Sequence, residues 1–271
     1  MAQKNERAAE ARAKAQAQVK AGERRTTVIV IAVALVVIAG FAGLVYFIVN
    51  SAKVPPLAES HTPATADASG GIGVGTGGVA GQGVPTDANR VDLYVDFMCP
   101  ICGQFEETNS ADLDALREDG TIAIYYHPIS ILDRASNGTD YSTRSANAAA
   151  TVADASPEHF LAFTEQLFAN QPEENTPGLD DSTLATLAVG VGVPQDVANR
   201  FASGEFTKWV TAATQQASID GMAGTPTVMV NGVILDQQQV PYFQPGALKA
   251  YLESLTPPTG TPNGPGADSE E

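Results

Sequence analysis

The chain has two cysteines, Cys99 and Cys102, with Pro100 and Ile101 between them. No third cysteine exists for a structural bridge. The pair therefore reads as redox-active, as half of a metal site, or as accident. Accidental placement at this spacing is improbable in 271 residues. The thiolate is the reactive form of cysteine, and it is favoured at a helix N-terminus, where free N–H groups and the helix dipole meet an anion. Pro100 suits the first helical turn, because it has no donor to lose there. Spacing of i,i+3 lets Cys102 lie one turn on and close a short disulfide with Cys99. A zinc site needs about four ligands. His127 and His159 would have to join the cysteines, and their spacing matches no finger or ribbon, so no metal is expected; both histidines read as structural or surface residues.

Elements that would position the pair lie on either side. Val91 to Phe97 is a β-rich run that reads as a buried strand ending at the motif. Ile101, Phe105, Leu113 and Leu116 continue in helical spacing, so a helix begins at the cysteines. Thr121 to Tyr126 reads as a second strand, stopped by His127-Pro128. Residues 142–221 are mostly helical. One segment is opened by Pro157, a second is capped by Asp181 or Ser182 and runs through Val189, a third starts at Pro194, and a fourth spans Phe206 to Ile219. Asn231-Gly232 between Val228-Met229-Val230 and Val233-Ile234-Leu235 predicts a type I′ hairpin. Ala247 to Leu255 predicts a closing amphipathic helix.

With these residues placed, Cys-Pro-Ile-Cys after a hydrophobic strand and Gly224-Thr225-Pro226-Thr227 before a hairpin resemble the DsbA-like branch of the thioredoxin superfamily. The resemblance covers about residues 89–255. It implies an α/β, thioredoxin-like fold with a helical insertion at about 139–221. It implies a protein thiol–disulfide oxidoreductase without a cofactor, in which Cys99 is the attacked and attacking sulfur and Cys102 its less exposed partner. Thr225 and Pro226 would form a cis peptide facing the disulfide and offer backbone groups to substrate. Implied partners are reduced exported proteins and a membrane reoxidant of the DsbB or vitamin K epoxide reductase type. The catalytic domain is expected to be monomeric.

Two departures bear on the direction of the chemistry. Many members carry an acid six residues before the first cysteine, where this chain has Leu93. Asp96, three before Cys99, is a candidate helper or a strand-end cap, and Asp92 reads as an acid at the start of the strand. Pro100 and Ile101 lack the histidine of strongly oxidising members. A disulfide isomerase or reductase using the same site stays open. So does a tethered peptide-binding or chaperone module without redox turnover.

Val28 to Val49 is a 22-residue run without charge. At about 1.5 Å per residue it is long enough to cross about 30 Å of hydrocarbon. Residues 1–25 carry seven basic side chains against three acidic ones. That excess predicts a cytoplasmic tail over 1–27, a signal-anchor helix over 28–49 and an extracytoplasmic catalytic domain. A cleaved signal peptide is the alternative, and it would also export the domain. Residues 50–88, rich in Gly and Pro, read as a flexible linker, and 256–271 as a disordered acidic tail. The net charge of −16 argues against nucleic acid as a partner. There is no Gly-x-Ser-x-Gly elbow or phosphate loop.

Overall fold

β-branched and aromatic residues build the two central strands of the computed structural model, which describes Ile38, Gly40, Phe41 and residues 54–256. Strand β2 (Asn89–Val95) runs parallel to β3 (Ile122–Pro128), with helix α1 (Pro100–Glu118) as the crossover between them. β4 (Thr227–Val230) pairs antiparallel with β2, and β5 (Val233–Ile234) with β4. β1 (Ile72–Val74) pairs antiparallel with the other side of β3, giving the order β1-β3-β2-β4-β5. Asn231 and Gly232 both have positive φ, 49° and 80°, which is the backbone of the expected type I′ turn.

Alternation sorts the strands into two faces. Val91, Leu93 and Val95 of β2 and Ile122, Ile124 and Tyr126 of β3 enter the main core with Phe105, Leu113 and Leu116 of α1. Tyr94 points the other way and packs with Ile129, Ala217 and Met222. A helical block follows β3. It comprises α2 (Tyr141–Ala155), α3 (Phe160–Ala169), α4 (Asp181–Gly190), α5 (Gln195–Ala198) and α6 (Thr207–Ile219). α3 packs on α1 and so reaches the cysteine end of the sheet, and α7 (Ala247–Ser254) packs on α1 as well. The cap of α4 is Asp180, one residue before the expected pair, because its carboxylate accepts from Thr183 N at 2.8 Å.

The sequence reading that makes 50–88 a flexible linker needs correction for the described part. Ile72 and Val74 are fully buried and pair with β3. The glycines around them are close-approach positions rather than flexible joints. A Cβ on Gly73 would lie 2.8 Å from the Tyr125 ring, and one on Gly71 2.8 Å from His127 Nε2. Polar ties hold the segment down. Arg117 Nη1 donates to Gly75 O at 2.9 Å. Arg90 Nη1 meets Asp67 Oδ2 at 2.8 Å and its guanidinium lies 3.5 Å from the centre of the Tyr125 ring. Asp92 is buried at the heart of this group, accepting from Arg90 and sharing a 2.8 Å hydrogen bond with the buried His127. Neither is a surface group.

The basic tail 1–27, nearly all of the apolar run 28–49 and residues 257–271 lie outside the described residues. Among the described residues no helix is long and apolar enough to cross a membrane.

Candidate active site

Val95 ends β2, and the chain turns at Asp96 to start α1. The turn is fixed by the Asp96 side chain. Its Oδ1 accepts from Met98 N at 2.9 Å, and its Oδ2 accepts from Ile131 N at 2.9 Å and Leu132 N at 3.0 Å. The Asp96 carbonyl accepts from Cys99 N at 3.0 Å. Cys99 is thereby the residue capping α1, with Pro100 at the first helical position. The Cys99 carbonyl accepts the first helical hydrogen bonds, from Cys102 N at 2.9 Å and Gly103 N at 3.2 Å. Phe97 and Met98 are wholly buried, and Phe97 packs on Phe168 of α3.

Both cysteines are present as free thiols. Cys99 is nearly buried and Cys102 completely so. The Thr225–Pro226 bond is cis. It brings Thr225 O within 3.3 Å of Cys99 Sγ, to which the thiol donates. Pro226 is buried and Thr225 partly exposed, while Pro100 and Ile101 stand in solvent beside Cys99. All seven residues singled out from the sequence therefore lie around the α1 N-terminus or on the loop facing it. Among the described residues no group of three or more His, Cys, Asp or Glu side chains is placed to hold a metal ion.

The two thiols are driven apart electrostatically. The Cys99 thiol is lowered to about 6, first by the hydrogen bond from the Cys102 thiol, then by the Thr225 side chain and the N–H groups of Cys102 and Ile101, against burial. Burial and the neighbouring Cys99 push the Cys102 thiol far up. The arrangement gives one thiolate at neutral pH and one protonated partner. Burial also pushes the Asp96 carboxyl up, against the N–H groups of Met98, Ile131 and Leu132.

Two residues of the site lie beyond those singled out from the sequence. Gln171 follows α3 and donates its Nε2 to Cys99 O at 2.9 Å and Phe97 O at 3.1 Å. A Cβ on Gly103 would sit 2.5 Å from Gln171 Oε1, so that glycine makes room for it. Glu106 lies one turn beyond Cys102 and is buried. The i,i+4 spacing from Cys102 was the signal available for it, and Gln171 had none. Gln171 holds the first turn of α1 against the helical block. Gln171→Ala and Gln171→Glu should both raise the pH midpoint of Cys99 alkylation from about 6, by about half a unit, as expected for loosened helix-end donors. An unchanged midpoint in both variants would remove this positioning role.

A family model described as thioredoxin matches residues 77–247. The oxidised DsbA of Mycobacterium tuberculosis is 30% identical, with 68% of this chain and 100% of that chain aligned and a TM-score of 0.54. A protein named DsbG from the same organism is also 30% identical, over 68% of this chain and 95% of that one, with a TM-score of 0.53. MdbA, a thiol-disulfide oxidoreductase from Actinomyces oris, shares the fold at 23% identity and a TM-score of 0.59, over 76% of this chain and 99% of that one. A curated relative, the serine/threonine-protein kinase PknE of Mycobacterium tuberculosis, is 31% identical over 157 residues, 55% of this chain. The chain spans 28% of that kinase's length, so the match concerns a segment of it.

Proposed function

The chain belongs to the thioredoxin family, in its DsbA-like branch, and from that premise we propose that it introduces disulfides into exported proteins through Cys99 and Cys102. It is an enzyme, a protein thiol–disulfide oxidoreductase. The observation that carries the oxidative reading is the split between the cysteines, one thiol lowered to about 6 and the other buried and raised. In the oxidised enzyme a substrate thiolate attacks Cys99 Sγ. The Cys99–Cys102 bond breaks, its electron pair leaves on Cys102, and that sulfur takes a proton. A second substrate thiolate then attacks the substrate sulfur of the mixed disulfide. Cys99 leaves as a stabilised thiolate, and the substrate departs with a disulfide. The Thr225 carbonyl lies within hydrogen-bond distance of Cys99 Sγ, which supports a role for Thr225 in binding the substrate backbone beside the reacting sulfur.

An ordinary cysteine titrates near 9.0 on the same scale. At pH 7 lowering it to about 6 stabilises the reduced enzyme by about 1.4 kcal/mol, which is about 30 mV for a two-electron couple. The sign makes the disulfide a better oxidant. The amount is modest because the Ile101 side chain adds no donor to that of its backbone N–H, and this keeps an isomerase or reductase as the second reading.

Localisation is part of the proposal. The uncharged run 28–49 would anchor the chain with its basic N-terminus inside and Cys99 outside. A quinone-linked membrane protein of the DsbB or vitamin K epoxide reductase type would then take the electrons. Three measurements test the reading together. The redox potential of the pair should lie well above about −270 mV, the value of thioredoxin, and the oxidised enzyme should accelerate refolding of a reduced protein. A membrane-impermeant maleimide should label Cys99 in intact cells. A potential at or below that of thioredoxin favours the reductase, and labelling only after lysis overturns the topology.

A further inference from the structure

A groove of about 680 Å³ runs from the active-site turn along the α1–α3 seam. Pro100 and Gln171 close its active-site end, and Phe168 forms an apolar wall. Its charges are all of one sign, with Glu106 and Glu107 from α1 and Glu165 from α3. No basic side chain lines it among the described residues. Glu107 and Glu165 are exposed at the rim, while Glu106 is only 7% exposed. No hydrogen-bond donor of the described residues reaches the Glu106 carboxyl. A carboxyl this deeply placed without a protein donor is costly, and its oxygens open only to the groove.

We propose that this groove binds a lysine or arginine side chain of the reduced polypeptide substrate, two or three residues from the cysteine under attack. The inference rests on the oxidase reading and adds the class of sequence that the enzyme prefers. Reach supports it. Glu106 lies seven residues along α1 from Cys99, roughly 10 Å at 1.5 Å per residue. An extended peptide covers about 3.3 Å per residue, so a side chain two or three positions from the reacting cysteine spans that distance. Phe168 and Ala169 offer the aliphatic stem an apolar wall, and the carboxylates meet the charged head. The volume suits one long side chain with its flanking backbone.

Burial pushes the Glu106 carboxyl up to about 7, helped by the nearby charges of Asp114 and Glu165. The groups around it are Asp114 of α1 and Glu165 of α3, with Glu107 beside it on the groove, and Tyr126 of β3, which is pushed up by burial and by Glu106, Asp114 and Glu165, against Arg117. Among them Glu106 changes charge near neutral pH. It is the neutral acid below that point and an anion above it, so preference for a cationic side chain grows as pH rises from about 6 to about 8.

The test uses the oxidised enzyme and reduced single-cysteine peptides that differ at one position, three residues from the cysteine, as lysine or norleucine. The rate of mixed-disulfide formation for each is divided by that peptide's rate with glutathione disulfide, which removes differences in its own thiol. The lysine peptide should react about 10-fold faster at low salt, and the advantage should shrink at high salt and at about pH 6. In the double variant Glu106→Gln, Glu165→Gln the ratio should fall to about one. Asp196→Asn, which removes an exposed charge from α5, should leave the ratio as it is. Equal rates for the two peptides on the unaltered enzyme, or a ratio that survives the double variant, overturns the groove assignment. If neither peptide reacts while Cys99 is intact, the oxidase reading itself falls and takes the groove with it.

Discussion

Cys102→Ala converts the enzyme into a covalent trap. In the unaltered protein the Cys99 thiolate can also attack a substrate disulfide, forming a mixed disulfide and releasing one substrate thiolate. Cys102 is the sulfur that releases it, because it is buried within hydrogen-bonding reach of Cys99. An intramolecular thiol acts at a very high effective concentration, so its removal should slow release by about 10³-fold or more. Cys102→Ala offered a scrambled, disulfide-containing substrate should therefore accumulate a species that runs as enzyme plus substrate on a non-reducing gel and collapses with reductant. Cys99→Ala should give no such species. Its remaining sulfur is fully buried and pushed far up in pKa, so it presents no thiolate to substrate. Equal trapping by the two variants would sink the assignment of roles, and full turnover by Cys102→Ala would sink the mechanism.

Much of this geometry was legible because it is local. The strand before the motif, the helix that starts at Pro100 and the hairpin at Asn231-Gly232 each follow from residue types acting on their neighbours. The resemblance supplied Thr225–Pro226, which no local rule makes cis. What was not legible depends on partners far away in sequence. Glycines at 71 and 73 look like a linker until the rings they lie against are known. Ile72 and Val74, set among those glycines, make too short a run to show strand periodicity, and β3 supplies their pairing. Gln171 is an ordinary polar residue in a loop, and it matters only because α3 delivers it to the carbonyl of Cys99. Asp92 and Asp96 sit four apart in one strand region, and the sequence could not name their partners. Packing does, giving Asp92 to Arg90 and His127 and Asp96 to three backbone donors.

The Asp96 contacts lead to the second large effect. Asp96→Ala should destabilise the protein by about 3–5 kcal/mol, since three N–H groups lose their acceptor and each such loss costs about 1–3 kcal/mol before relaxation. Asp96→Asn retains one carbonyl oxygen but turns an NH₂ toward the remaining donor, so it should lose about 2 kcal/mol. Urea unfolding of the reduced proteins measures both. The pH dependence separates a structural acid from a proton-transfer helper. Burial raises the Asp96 carboxyl, so the folded chain holds its proton more tightly than the unfolded chain does. Its contribution is then fully present below about pH 4 and is lost as pH rises through the raised value. Asp96→Asn should flatten that part of the stability curve. It should leave the pH midpoint of Cys99 alkylation near that of the unaltered enzyme, because what reaches the Cys102 sulfur from Asp96 is backbone and not carboxyl. A shifted midpoint or a lost limb in the pH profile of turnover, with stability unchanged, would make Asp96 the missing helper rather than the clamp of the active-site turn.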